Sequence, residues 1–324
     1  MTMQEIRYEI GDQISDGIYI GLPDHAYHAD PALGSTGMKK LLTDPADYWW
    51  SSPLNPALEP ENDTPSKKFG RALHTCVLEG REAFFSLYAP TDHSGNTTIG
   101  RQEKKEIVDA GKTPIKRDEY NRIVAASAFI KTNPVLGNAF TNGVPELSVF
   151  WTIEIDGQKI RLKARLDYLK PMAIADLKSI RNPLGKPFIK ACRDSIASYD
   201  YLISASHYMD GRRQMRRLLA DGNIFGGDDA SREFISTAAG VDTFAFVLVF
   251  YQAEGAPISH GFKLSPSNPL LETAHAAVDR AIWTYADMMK RFGPDAAWID
   301  PQPLEELDET EMPAWWQVQQ NQGN

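Results

Sequence analysis

Three stretches decide the fold: Glu146-Leu147-Ser148-Val149-Phe150-Trp151, then Arg165-Leu166-Asp167-Tyr168-Leu169, then Ile174-Ala175-Asp176-Leu177-Lys178-Ser179. Each has the length and apolar spacing of a β-strand, and together they hold three carboxylates and a lysine. Side chains two apart on a strand leave the same face, so Asp176 and Lys178 emerge side by side. Asp167 closes an alternation in which Ile160, Leu162, Ala164 and Leu166 face one way and Arg161, Lys163, Arg165 and Asp167 the other. The aspartate therefore falls on the polar side. Lys170-Pro171-Met172 is short enough to turn an antiparallel hairpin that brings Asp167 and Asp176 together.

Two hard oxygen ligands with an ammonium one pleat away suit Mg²⁺, with Mn²⁺ as a substitute, and a phosphate substrate. In this reading Asp167 and Asp176 hold the metal and the Leu177 backbone carbonyl supplies another oxygen. Lys178 orients the attacking water and stabilises charge on the phosphate. Glu146, opening its strand after Val144-Pro145, reaches the metal or one of its waters if that strand neighbours the Asp167 strand. A solvated strand face with an incidental ion pair is the competing account. Against it, Ile174, Ala175 and Leu177 surround Asp176 with apolar residues, and a buried carboxylate needs a partner.

Working outward, strands are expected at Glu146–Ile155, Lys159–Leu169 and Ala173–Ile180, with Asp156-Gly157 as a hairpin turn. A buried strand follows at Phe244–Gln252 and another near His260–Leu264. Helices are expected from Ser35, which can cap a turn through Met38, Leu41 and Leu42, and over Phe69–Glu79 and Arg117–Thr132. Further ones run from Lys186 to Leu219, with a break near Asp194–Ser198, and from Pro269 to Arg291. Residues 1–34 read as an irregular arm or hairpin lead-in, and Pro53–Ser66 as a loop. Residues 91–104 and the Gly-rich segment 221–242 read as mobile loops. The order of elements is that of an α/β or α+β fold on a mixed sheet.

At 324 residues and 42% hydrophobic content the chain can bury a large core. A single domain is expected over 1–324. A helical part occupies 1–140, the catalytic sheet core 141–265, and a helix and tail 266–324. No apolar run is long enough to span a bilayer and the first residues do not resemble a signal peptide, so a cytoplasmic protein without a membrane partner is expected. Cys76 and Cys192 are too few for a disulfide framework, a zinc site or an iron–sulfur cluster. The net charge of −9 excludes a generally basic surface. A nucleic-acid enzyme of this charge needs a local basic groove, and Arg212, Arg213, Arg216 and Arg217 are its best source, with Arg101, Lys104 and Lys105 a weaker one. Tyr201, Ser204 and Tyr208 share the face of the helix leading to them, so Tyr201, Ser204, Tyr208, Arg212 and Arg216 are the candidate DNA contacts. His74, alone on its helix, reads from spacing as a structural histidine.

The ordered set Ser35…Met38-Lys39-Lys40-Leu41-Leu42…Pro45…Tyr48, Phe69-Gly70…Leu73-His74, Glu146, Asp167, Asp176-Leu177-Lys178, Tyr201…Tyr208-Met209-Asp210-Gly211 and Trp298…Met312-Pro313-Ala314-Trp315 resembles the PD-(D/E)XK nuclease superfamily. Within it, the set is similar to the exodeoxyribonuclease VIII (RecE-type) exonucleases of phages and prophages and to RecB-type nuclease domains. The resemblance implies a restriction-endonuclease-like core in which a mixed central sheet is flanked by helices. It makes His74, Asp167 and Asp176 metal ligands, Lys178 the catalytic lysine and Glu146 the acidic residue of the preceding strand. It also implies a Mg²⁺-dependent hydrolase that digests duplex DNA from its ends, 5′→3′, leaving single-stranded tails for recombination or repair. A ring-shaped homo-oligomer, a single-strand-annealing partner and a bacterial or prophage setting come with it. Ser204 departs from the family pattern, which has glutamine there, so a DNA contact at that point would pass through water. An endonuclease or flap nuclease on the same core is the alternative, as is a DNA-end-binding module without turnover, or more distantly a Mg²⁺-dependent phosphatase.

Overall fold

The structure, a computed structural model, describes residues 13–59 and 64–321. Its centre is a seven-stranded mixed sheet ordered β7-β1-β4-β5-β6-β8-β9. The strands are β1 (Gly17–Tyr19), β4 (Val144–Ile155), β5 (Gln158–Lys170), β6 (Ala173–Ile180), β7 (Ile224–Phe225), β8 (Ala245–Gln252) and β9 (Ser259–Leu264). Strands β2 (Tyr88–Thr91) and β3 (Thr113–Lys116) form a separate parallel pair. In the large sheet β1 runs parallel to β7 and β6 to β8, and all other neighbours are antiparallel. Asp156 and Gly157 take φ of 49° and 74°, the paired left-handed conformation a two-residue hairpin requires.

Both faces of the sheet are covered. Phe246, Leu248 and Phe250 of β8 enter one apolar cluster together with Met38, Leu41, Ala205, Met209 and Ala281 of three helices. Val249 and Tyr251 enter the opposite cluster with Phe69, Leu73, Ile123 and Ile130. Burial on both sides explains why β8 reads as one continuous apolar run rather than an alternation. Gly211 lets the long helix Tyr201–Ala220 lie directly on the sheet, since a Cβ there would sit 3.0 Å from the Trp151 ring and 3.1 Å from the Ala164 methyl.

The hairpin strands and Arg117–Thr132 form where the sequence places them, and other segments differ. Residues 98–109 are helical, capped by Thr97, although part of this stretch reads as a mobile loop. Its stability comes from the cap and from pairs such as Lys105–Asp109, with no apolar stripe to show in the sequence. Within 221–242, the glycines hide a helix, Asp229–Ala239, whose N-cap is Asp228. The expected break in the helix from Lys186 falls at Tyr199 and Asp200, between Phe188–Ser198 and Tyr201–Ala220. Residues 1–12 of the expected arm, and 60–63 of the expected loop, lie outside the described residues, while 17–19 pair with β4 and 24–29 are helical. The polar side of β5 is not solvated either: Lys163 is buried, its ammonium donating to the Tyr27 and Asp30 carbonyls at 2.7 Å each.

Gly143, just before β4, packs so closely that an added Cβ would lie 2.2 Å from the Leu169 carbonyl oxygen and 2.6 Å from the Tyr168 ring. Gly143→Ala should therefore destabilise the protein by about 1–3 kcal/mol, the usual cost of overpacking. A urea midpoint equal to that of wild type would show that the β4–β5 pair can absorb a methyl group.

Candidate metal centre

Strands β5 and β6 pair only from Lys170↔Ala173 to Tyr168↔Ala175, while β6 continues beside β8 as far as Ile180↔Gln252. Past Ala175 the edge of β6 that faced β5 has no ladder partner. The Leu177 peptide would be left with unmet polar groups inside the protein, a costly state. Two side chains meet them. The Leu177 N–H donates to Asp167 Oδ2 at 2.8 Å, and His74 Nε2 donates to the Leu177 carbonyl at 2.9 Å.

That bond turns the other ring nitrogen of His74 outward. Nδ1 lies 3.5 Å from Glu146 Oε1 and 3.8 Å from Asp167 Oδ2. One ligand atom from each of His74, Glu146 and Asp167 falls within 4.8 Å of the others, the one such group among the described residues. His74 ends the helix Pro65–His74, and the next turn, Thr75–Glu79, is π-helical, with the Gly80 N–H bonded to the Thr75 carbonyl at 3.0 Å. Such turns are rare and concentrate at functional sites. Glu146 is turned by a second irregularity, a left-handed φ of 49° inside β4. This shifts the alternation by one residue, so that Val144 and Leu147 both enter the same apolar cluster. A non-glycine residue held there costs roughly 1–3 kcal/mol and persists only where its surroundings impose it.

Asp176 and Lys178 lie on the opposite face of β6 from Leu177, toward the helix Tyr201–Ala220. Asp176 is 1% exposed, and its Oδ2 is 2.7 Å from Lys178 Nζ. Apart from that ion pair, neither carboxylate oxygen has a hydrogen-bond partner. Burial pushes the Asp176 carboxyl up against the pull of Lys178, and the Lys178 ammonium is held charged by Asp176 and Asp167 in spite of its own burial. Burial would depress the His74 imidazole, but the Asp167 and Glu146 carboxylates outweigh it and raise it to about 9. A cation thus already stands among these carboxylates. The donor set of one imidazole and three carboxylates, one of them Asp176 with both oxygens buried and without a hydrogen-bond partner, fits a hard divalent ion that accepts oxygen and nitrogen ligands.

The arrangement alters several expectations. Glu146 joins the core group with His74 and Asp167, whereas Asp176 stands outside it, bound to Lys178. The Leu177 carbonyl, expected to be a ligand, instead accepts from His74 and orients it, a common way of fixing a metal-binding imidazole. Tyr201 and Tyr208 do face the site: the Tyr201 ring centroid is 5.3 Å from Lys178 Nζ, and the Tyr208 hydroxyl accepts from Ser35 at 3.4 Å. Burial pushes both phenols up to about 12 against the pull of Lys178. Ser204 is buried, so its hydroxyl is withdrawn from the surface contact expected of it.

Arg212 corrects the expected basic groove. It is 2% exposed and donates to the carbonyls of Lys170, Pro171, Ala173 and Ala238. A guanidinium so enclosed cannot reach DNA. Arg216 pairs with Asp242, Arg213 with Asp210, and Arg217 with Asp221 and Asp16, so the cluster is largely neutralised in place. His207 is also buried, against the Lys163 carbonyl. The basic residue that does stand beside the site is Lys39. Its ammonium is pushed down to about 8 by burial and by Lys178, against Asp176 and Asp200. Only its place in the amino-terminal motif marked it in the sequence.

A mixed sheet with this acidic and lysine-bearing hairpin defines a PD-(D/E)XK-like fold. The chain belongs to the family described as PDDEXK-like domain of unknown function (DUF3799), whose model matches residues 35–222. Among solved structures it is similar to a crystal structure described as "Putative exonuclease" from Eubacterium rectale, with 12% identity over 83% of this chain and 88% of that chain and a TM-score of 0.46. A second similar structure, described as SSO0001, shares 12% identity over 67% of this chain and 86% of that one, with a TM-score of 0.24. No curated protein matches the chain. Among the described residues no helix is long and apolar enough to cross a membrane.

Proposed function

We propose that the protein is a divalent-metal-dependent exodeoxyribonuclease acting on the ends of duplex DNA, with Mg²⁺ as its metal and Mn²⁺ as a substitute. The observation that carries this reading is the parting of β5 and β6. It opens the Leu177 edge to Asp167 and His74, which with Glu146 lie within 4.8 Å of one another, while Asp176 and Lys178 share the other face of β6. His74, through Nδ1, and the carboxylates of Glu146, Asp167 and Asp176 would hold the metal. Bound there, a divalent ion lowers the pKa of a water and offsets charge on the scissile phosphate.

The chain's own groups do the rest. The Leu177 peptide fixes Asp167 and His74 from opposite ends, so the ligands are preorganised. Lys178, kept protonated by Asp176, stands ready to orient the attacking water and to stabilise the charge that builds on the phosphate. The 5′→3′ polarity, the ring-shaped homo-oligomer, the annealing partner and the recombination role rest on resemblance to the RecE-type branch. A ring would hold DNA despite the net charge of −9, because enclosure replaces broad attraction.

End-labelled linear duplex with Mg²⁺ should lose its label progressively, while covalently closed circles survive and EDTA stops the reaction. His74→Ala should weaken metal binding by at least about 10- to 100-fold, since even losing a group that only orients a ligand costs that much. Cutting of closed circles would defeat the exonuclease reading, and degradation in EDTA would defeat the metal-dependent one.

A further inference from the structure

Two tyrosines flank a strained residue beside the site. Asp200, between the helices Phe188–Ser198 and Tyr201–Ala220, has a left-handed φ of 47° and ψ of 45°. This sharp turn lays the Tyr199 and Tyr201 rings over one another, 5.6 Å between centroids and 23° between planes. Tyr199 is 61% exposed, so the outer face of the stack is open.

Two ammonium groups adjoin the inner ring. Lys178 Nζ lies 5.3 Å and Lys39 Nζ 5.4 Å from the Tyr201 centroid. Lys39 also donates to the Tyr199 carbonyl at 2.7 Å, tying the amino-terminal helix Ser35–Thr43 to the turn. The result is a flat aromatic surface bordered by cations and continuous with Lys178. Single-stranded nucleic acids are held by this combination, bases on aromatic faces and phosphates on lysines. A base still paired and stacked in a duplex offers only its edge.

We propose that Tyr199, Tyr201 and Lys39 form a docking platform for an unstacked single strand, on which a base stacks against Tyr199 while Lys39 takes a backbone phosphate. The substrate strand thus reaches Lys178 already separated from its complement. This rests on the nuclease reading and deepens it by naming the form in which the strand arrives.

The test measures binding in EDTA, where no cleavage occurs, using the full chain and two fluorescent probes. One is a twelve-residue oligothymidylate and the other an abasic deoxyribose-phosphate strand of equal length. Tyr199→Ala should weaken binding of oligothymidylate roughly 5- to 100-fold, the worth of one base on one aromatic ring, and leave the abasic strand unaffected. Tyr199→Trp should retain or strengthen binding. Lys39→Ala should weaken both probes alike and lower the salt slope by about 0.7, the value for one phosphate on a single strand. Equal binding of oligothymidylate by wild type and Tyr199→Ala, or equal binding of the two probes by wild type, would overturn the platform. If end-labelled duplex is nevertheless degraded with Mg²⁺, the nuclease reading survives that failure. If neither binding nor degradation occurs, both fall.

Discussion

Lys178→Ala should reduce cleavage of end-labelled duplex by at least about 10²–10³-fold while metal affinity changes little, because in the proposed mechanism the lysine stabilises charge that exists only during reaction. Lys178 itself is not in the candidate ligand group of His74, Glu146 and Asp167. Single-turnover rates and calorimetric metal titration measure the two effects separately, and a retained rate would remove Lys178 from the mechanism. The same substitution should also register in stability. It leaves Asp176, 1% exposed, without the one salt bridge it makes among the described residues, and removing one member of a buried pair costs about 3–5 kcal/mol.

The sign of the pH dependence follows from burial. Asp176 is already raised above its ordinary value, chiefly by desolvation, and loss of Lys178 raises it further. A carboxyl with a higher pKa folded than unfolded binds more protons in the native state. Its penalty is therefore absent below about pH 4, grows as pH rises from there toward the folded value, and is fully present above it. In EDTA, the deficit of Lys178→Ala relative to the double variant Asp176→Asn/Lys178→Ala should be larger at pH 8 than at pH 5. A deficit independent of pH would mean that Asp176 is not the group left uncompensated.

Arg212→Ala should destabilise the protein by about 3–5 kcal/mol, among the largest effects for any single side chain. Three of the carbonyls it satisfies belong to the β5–β6 turn, at Lys170, Pro171 and Ala173, and the fourth, Ala238, ends the helix Asp229–Ala239. Among the described residues no carboxylate forms an ion pair with it, and the guanidinium instead lies 4.0 Å from the Phe244 ring centroid. Truncation strands several buried acceptors and opens a cavity at once. Lysine cannot replace the planar fork, so Arg212→Lys should recover only part of the loss. Arg216→Ala, one turn along at the surface, should stay within about 0.5 kcal/mol. Urea denaturation separates these outcomes, and similar midpoints for the two alanine variants would contradict the burial of Arg212.

These cases show what the sequence could disclose. The β4–β5–β6 meander was legible because Asp156-Gly157 dictates its turn and alternation sets its strands. The pairing of Asp176 with Lys178 followed from the two-residue period. Arg212 was not legible: four arginines within six residues look like a solvated face, and only tertiary packing makes one of them a buried scaffold. Nor did any pattern announce the π-turn after His74 or the left-handed Glu146. Both depart from the regular periods on which such reading depends, and both fall at or beside residues of the candidate metal group. Resemblance to a family brought His74 forward, and geometry explains how it arrives there.

The parting of β5 from β6 also sets a limit on how good a sheet this protein can be. Were the two strands zipped to their ends, the Leu177 peptide would find its partners in the backbone, and Asp167 and His74 would lose what fixes them. Substitutions that lengthen the β5–β6 ladder would therefore strengthen the fold and disable the site together. On the proposed function, the open seam is where the chain gives up rigidity for reactivity.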